Sequence, residues 1–295
     1  MKMSILSPAY NESEHLVAMI ASVQAQTYSD FELLMVDDGS SDRTGAIMDQ
    51  FSANDPRIVK VGDSRRMGKV AAFNLAFEHS EGDFVMLLAG DDLIPPDSIE
   101  MRMKSLLDHD PATRVVAFHR LRTFSEDKKF DGMVIPKAGR GNRSGGTLVM
   151  SRSLAELVFP IDPSLVSEDL WVGTLAESLA EAVIEDQSVV LSYRIHSGNS
   201  HPRQQDFATM NDSMHARYKV YECILENERF ELADEDRRRL GALARLEDRR
   251  YRGRLWQVAR LTELPILVRL RALSSATPIL FSIRSKFYRF FSGWS

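Results

Sequence analysis

Four short apolar runs, each closed by polar, Gly or Pro residues, recur along the first third of the chain: MSILS (3–7), FELLMV (31–36), RIVKV (57–61) and DFVMLL (83–88). Their length and composition read as buried strands. Between them, apolar residues recur at helical spacing. Glu12 to Gln26 carries Leu16, Met19, Ile20 and Val23, and Asp42 to Phe51, Lys69 to Glu78 and Pro96 to Leu107 follow the same period. Strand and helix therefore alternate four times, the signature of a parallel sheet covered on both faces.

Local chemistry agrees with two of the helix starts. Ser41 or Asp42 can cap the helix holding Ile47 and Phe51, and Asp97 follows Pro95-Pro96 in a first turn where negative charge suits the helix dipole. Beyond residue 110 the alternation loosens. TRVVAFHRLRTF and FDGMVI read as strands, GGTLVMSRSLAELVF as strand then helix, EDLWVGTLAESLA as helix, and EAVIEDQSVVLSYRIH as one or two strands. From about Met210 the pattern is nearly all helical, with no repeat or low-complexity segment. The expected fold class is α/β: a mixed, mainly parallel sheet flanked by helices over residues 1–209, divided near residue 110, with a C-terminal helical appendage over 210–295.

A chain of 295 residues with 44% apolar content can bury a sizeable core. The one cysteine, Cys223, allows no internal disulfide. No signal-peptide pattern opens the chain, and no apolar run nears the roughly 18–20 residues that cross a bilayer, which fits a soluble or peripheral protein of the cytoplasm, at most on the inner face of the membrane. The net charge of −5 conceals an asymmetry. Residues 237–295 carry 14 Lys and Arg against 3 Asp and Glu, and the remainder 23 against 39. An acidic body argues against a nucleic-acid partner, whose groove would be lined with Lys and Arg.

In open α/β sheets, ligands sit beyond the carboxyl ends of the strands. SPAYNE (7–12), VDDGSSDRT (36–44) and AGDD (89–92) fall at three such ends, gathering Asp37, Asp38, Asp91 and Asp92 on one rim. Each like-charged neighbour raises the cost of ionisation, so stability does not account for the cluster. A divalent cation, taking oxygen ligands from carboxylates and a bound phosphate, does. Dinucleotide and Walker-type sites are excluded: the first loop has no glycine, and Gly68-Lys69 lacks both the upstream glycine and the following Ser or Thr. A phosphate-accepting signalling domain would be much shorter and would need a lysine after a late strand.

SILSPAYNE, QTYSDFELLMVDDGSSDRT and GKVAAFNLAFEHSEGDFVMLLAGDD, in this order and spacing, resemble the nucleotide-sugar half of GT-A fold (Rossmann-like) glycosyltransferases, specifically glycosyltransferase family 2. SEDLWVG (167–173) and YRIHSGNSH (193–201) resemble that family's acidic base motif and its closing arginine–histidine loop, extending the likeness over residues 2–201. The resemblance implies an inverting, metal-dependent glycosyltransferase. It would move a sugar from a nucleotide diphosphate sugar, a UDP-sugar by default, to a hydroxyl of a glycan or lipid-linked acceptor in bacterial polysaccharide assembly.

By the same resemblance, Asp38 accepts the imide N–H of a uracil, with Pro8 and Tyr10 beside the base and Glu12 in the same donor-side loop. Asp91 meets the ribose, or the metal through water, and Asp92 binds the metal, Mn2+ or Mg2+, directly, the metal bridging the diphosphate. Gly68 and Lys69 open a helix whose N–H groups and ammonium face phosphate. Asp169 is the general base, Glu168 its neighbour at the acceptor, and Trp171 packs either under the acceptor or in the core. Arg194 and His196 alternate with Tyr193 and Ile195 along a strand and so share one face. The resemblance makes them diphosphate contacts, with His196 an added metal ligand and Ser200 a further phosphate donor. One position departs from the family's D-x-D-D form: its first acid is here Ala89, which leaves the metal to Asp92.

The tail alternates arginines with Leu, Trp and Val at helical spacing, as in RRYRGRLWQVARL, and ends in FSIRSKFYRFFSGWS. A basic, aromatic-rich amphipathic segment either lies in a membrane interface against anionic headgroups or packs on protein, its own body or another copy. The rival to an enzyme is a non-catalytic nucleotide-sugar-binding or scaffolding protein of the same fold. Retention of both Asp169 and Asp92 favours the enzyme. A nucleotidyltransferase would need a glycine-rich, basic first loop where this chain has SPAYNE.

Overall fold

A computed structural model describes residues 1–110, 112–137, 139–196 and 206–286, and the chain divides into two compact units, Met1–His196 and Ser197–Ser295. In the first, β1 (Met3–Ala9), α1 (Leu16–Gln24), β2 (Phe31–Asp37), α2 (Thr44–Asn54), β3 (Ile58–Val61), α3 (Lys69–Glu78), β4 (Phe84–Leu87) and α4 (Ser98–Leu106) follow the expected alternation. Next come β5 (Val115–Ser125), β6 (Val134–Ile135), a 3-10 turn (Gly145–Thr147), β7 (Leu148–Ser151), α5 (Arg152–Val158), α6 (Asp169–Leu179) and β8 (Ala182–Ile195). The eight strands form one sheet in the order β3-β2-β1-β4-β7-β5-β6, with β8 against β5. β3, β2, β1 and β4 are parallel, β7 runs antiparallel to β4 and β5, and β8 is parallel to β5. The sheet is mixed and mainly parallel, as the sequence implies.

Every residue of β1 and β2 is buried, which requires helices on both faces. Met3, Ile5, Leu33, Met35, Phe84 and Met86 join Leu16, Ile20 and Val23 of α1 and Ile99 and Met103 of α4 in one core. β1 runs two residues beyond the expected MSILS, through Pro8. Its pairing with β4 ends at Leu6 while its pairing with β2 continues to Ala9, so the missing Pro8 N–H falls where the β4 ladder has stopped.

Several boundaries differ from the periodicity for local reasons. α1 begins at Leu16 because the Glu12 carbonyl accepts from the His15 and Leu16 amides and holds 12–15 as a turn. Neither Ser41 nor Asp42 occupies the cap of α2, which falls to Arg43. Asp42 instead accepts from the Thr44 amide at 2.9 Å and from the Ser13 amide at 3.0 Å, tying the loops after β1 and β2 together. Asp97 is at the cap of α4 but makes no side-chain capping bond. The first compact unit runs to His196, one residue past the end of β8 at Ile195.

Among the described residues, the second unit contains α7 (Phe207–Tyr218), α8 (Val220–Glu226), α9 (Asp234–Tyr251), α10 (Leu255–Ala259), α11 (Ile266–Leu273) and α12 (Pro278–Lys286). Ala242, Leu246, Val258, Leu261, Leu264 and Ala272 form a small core of its own. Part of the basic charge is internal. Arg250, 1% exposed, is bonded to Glu247, to Asn211 and to the Ser275 carbonyl.

Candidate functional site

Parallel pairing aligns the carboxyl ends of β2, β1 and β4: Ala9 faces Asp37, the Asp38 amide donates to the Ala9 carbonyl at 2.9 Å, and the Leu88 amide donates to Leu6. The two acids after β2 are compensated by protein. Asp37 Oδ1 accepts from the Ser40 amide at 3.0 Å. Asp38 Oδ1 accepts from the Met67 and Gly68 amides at 2.7 and 2.8 Å, and its Oδ2 meets the Arg66 Nη1 at 2.9 Å. This corrects the expectation that all four rim acids stand outside any structural account. Gly68 makes the turn possible, with φ of +91°, where a Cβ would be strained.

Arg66 adds a feature that the residue pattern did not reveal. Its guanidinium stacks over Tyr10, 3.5 Å from the ring centroid, while it holds Asp38. Pro8 is buried in β1, and Tyr10 is 44% exposed. A flat cation thus occupies the place, between Tyr10 and Asp38, assigned to a nucleobase. The sequence offers only the Arg65-Arg66 pair shortly before Gly68 as a signal.

The acids after β4 are compensated less fully, by one amide at Asp92 and by His196 at Asp91. The turn packs tightly on the end of β1, and a Cβ on Gly90 would lie 3.0 Å from Ala9 Cβ and 3.3 Å from Glu12 Cγ. Asp92 is buried, and burial together with Asp91 pushes its carboxyl well above the usual range. Glu12 is pushed up to about 7, by burial first and then by Asp91. β8 closes over this turn. Leu93 and Ser192 exchange backbone hydrogen bonds, the Arg194 amide donates to Asp92 Oδ1 at 2.8 Å, Arg194 Nε donates to the Asp91 carbonyl at 2.7 Å, and His196 Nε2 lies 3.1 Å from Asp91 Oδ2. Arg194 and His196 do address the turn together, as their alternation implies, but His196 pairs with Asp91 and not with Asp92.

That pairing bears on the metal. Among the described residues no group of three or more His, Cys, Asp and Glu is arranged to hold an ion. What the turn offers is a pair of carboxylates. Such hard oxygen donors suit Mg2+ or Mn2+ when phosphate and water oxygens complete the shell, so the residues fit a cation brought together with a diphosphate.

Lys69, the first residue of α3, reaches across to the helix that carries the base motif. Its Nζ lies 2.7 Å from Glu168 Oε1. Burial alone would lower the ammonium's pKa, but Glu168, Asp169 and Asp91 outweigh it and raise it, so Lys69 stays charged. Burial pushes the Glu168 carboxyl up against the pull of Lys69. Asp169 opens α6, and its Oδ1 accepts from the Gly145 amide at 3.3 Å. The turn holding Gly145 is clamped from below. Arg102, fully buried and bonded to no carboxylate among the described residues, donates to the carbonyls of Gly146 at 2.7 Å and Leu148 at 3.3 Å, and His119 Nδ1 lies 3.2 Å from the Thr147 carbonyl. The two Nη groups of the buried guanidinium thus hold the backbone just after Gly145, while its Nε finds no partner among the described residues. Trp171, one of the candidate acceptor contacts, is fully buried and donates to the Val158 carbonyl at 2.9 Å, so it belongs to the core. Ser200 lies outside the described residues.

The model of the family described as glycosyl transferase family 2 matches residues 4–156, just over half of the 295 residues. An uncharacterised glycosyltransferase of Nostoc sp. is 30% identical over 233 residues, 68% of this chain and 67% of that one. The chain spans only 31–42% of the length of four other curated glycosyltransferases that it matches. Among solved structures, Staphylococcus aureus TarS 1–349 in complex with UDP-GlcNAc superposes with a TM-score of 0.63 at 16% identity, covering 98% of this chain and 92% of that one. The mannosyltransferase PcManGT of Pyrobaculum calidifontis, in complex with GDP-Man and Mn2+, gives 0.62 at 16%, covering 99% and 84%. At that identity the likeness establishes the GT-A type of fold. The sheet order, the run of motifs at its rim and the family match converge on one statement: the chain belongs to glycosyltransferase family 2 and is a glycosyltransferase.

Proposed function

We propose that the protein transfers a sugar, with inversion, from a nucleotide diphosphate sugar to a hydroxyl of a glycan or lipid-linked acceptor in polysaccharide or glycolipid assembly. The observation that carries this reading is the position of Lys69, whose one ammonium is bonded to Glu168 and lies close enough to Asp169 and Asp91 to feel both. Donor-side acids and base thus share one electrostatic neighbourhood, as a displacement between two bound substrates requires.

Asp169 takes the proton of the acceptor hydroxyl as its oxygen attacks the anomeric carbon. The bond from that carbon to the donor phosphate oxygen breaks on the opposite side, and the nucleoside diphosphate departs, so a single displacement inverts the anomeric configuration. Lys69 and Arg194 present positive charge to the diphosphate, and the Gly145 amide orients Asp169. Asp91 and Asp92 would hold Mn2+ or Mg2+, which when bound neutralises charge on the diphosphate. A uracil would stack on Tyr10 and reach Asp38 once it displaces Arg66, which holds both in this structure, and the UDP-GlcNAc complex of TarS is in line with UDP as the carrier. A screen of nucleotide sugars with Mn2+, read as release of nucleoside diphosphate, is expected to single out a UDP-sugar. If no nucleotide sugar is cleaved or transferred, and none raises the melting temperature, the reading is wrong.

A further inference from the structure

The last described helices hide some of their apolar residues and leave others bare. Among the described residues, 13 large apolar side chains are exposed, and six of them fall between 256 and 283: Trp256, Ile266, Leu267, Leu270, Ile279 and Ile283. They are ordered by helix face. In α11, Val268 and Ala272 pack on the unit's own core, while Ile266, Leu267 and Leu270 occupy the opposite side. In α12, Ile279 and Ile283 are one turn apart.

Charge follows the same segment. Arg254, Arg260 and Arg271 are exposed, and neither they nor Arg284 pair with a carboxylate among the described residues. From 252 to 286 the one acid is Glu263, which is held by Arg245 at 2.5 Å. A second copy of the chain would set these arginines against one another, whereas an anionic bilayer matches both the charge and the bare apolar faces.

We propose that the α10–α12 face of the second unit docks on an anionic lipid surface and lies in its interface. No single helix among the described residues is long and apolar enough to span a membrane, and α11 and α12 meet at 109°. With eight and nine residues they measure about 12–14 Å, short of the roughly 30 Å hydrocarbon core, so they lie in the plane. Trp256, 80% exposed beside Arg254, has the amphipathic character that favours the headgroup level.

Flotation of the full chain with vesicles of phosphatidylglycerol and phosphatidylethanolamine tests the proposal, with phosphatidylcholine vesicles for comparison. Wild-type protein is expected to float with the anionic vesicles and to be released as salt rises from about 0.05 to about 0.5 M. Replacing Arg254, Arg260 and Arg271 by Gln should lower the partition coefficient roughly a hundredfold. Replacing Ile266, Leu267 and Leu270 by Ser should abolish flotation while leaving the melting temperature and nucleotide-sugar cleavage unchanged. Equal flotation with phosphatidylcholine, no flotation, or unaltered flotation of the apolar variant would overturn the proposal. So would a concentration-dependent dimer, seen by light scattering and broken by the apolar variant, that binds no vesicles. The outcome is independent of the donor site, whose failure would show in cleavage alone.

Discussion

Asp169→Asn is expected to slow glycosyl transfer about 1,000-fold while leaving UDP affinity within about twofold of wild type. The carboxamide keeps the shape of the side chain and, through its oxygen, the contact with the Gly145 amide, so the start of α6 stays in place. What is lost is a group that can take the acceptor's proton. Nucleoside diphosphate release in the presence of acceptor measures the effect, and a calorimetric titration of UDP measures the part that should not change. A variant that retains a tenth or more of wild-type transfer would move the base elsewhere.

Lys69→Met separates the two roles of that ammonium. Removing it leaves Glu168, 5% exposed, without its cation, a change that costs about 2 kcal/mol once the 44% exposure of Lys69 is allowed for. The pH dependence has a defined sign. Burial already raises the Glu168 carboxyl above the ordinary value of 4.5, so the native state binds that proton more tightly than the unfolded chain does. Its contribution to stability is fullest at low pH and is lost as pH rises from that value through the raised one. Without Lys69 the carboxyl rises further, so the loss should be steeper and extend to higher pH. Adding Glu168→Gln should restore most of the stability and flatten the profile, but not restore turnover, which stays down about a hundredfold because the diphosphate has lost a cation. Melting curves across pH and rates of nucleoside diphosphate release distinguish the two effects. Recovery of turnover in the double variant would make Lys69 a structural residue only.

The first half of the fold is legible in the sequence because local period decides it. β2 and β4 are found within a residue, and α3 spans Lys69–Glu78 as its spacing implies. Errors arise where a backbone group finds a partner outside its own element. α1 loses its first turn to the Glu12 carbonyl, and β1 gains Pro8 and Ala9 because β2 keeps pairing after β4 stops. The site divides in the same way. Asp91, Asp92, Arg194 and His196 meet because the strands that carry them are brought to one rim. Their placement follows from the order of the motifs.

What the sequence could not supply are the pairings made through space. Lys69 faces Glu168 across 99 positions, Arg66 lies on Tyr10 across 56, and Arg102 reaches Gly146 across 44. None has a period or a spacing to announce it. The acids after β2 show the converse case. On sequence grounds they are as unexplained as Asp91 and Asp92, yet three amides and Arg66 neutralise them, while burial and Asp91 still raise the Asp92 carboxyl in the turn after β4. With Ala89 in place of a further acid, the carboxylates of that turn are Asp91 and Asp92.

The central claim, that this turn is the diphosphate site, is tested most directly by titrating UDP into wild-type and Asp92→Asn protein, each with Mn2+ and with chelator. The account predicts saturable binding of UDP to the wild type in Mn2+, weakened by at least about tenfold, some 1.4 kcal/mol, by either chelator or the substitution. No binding, or the same affinity in all four titrations, would contradict it.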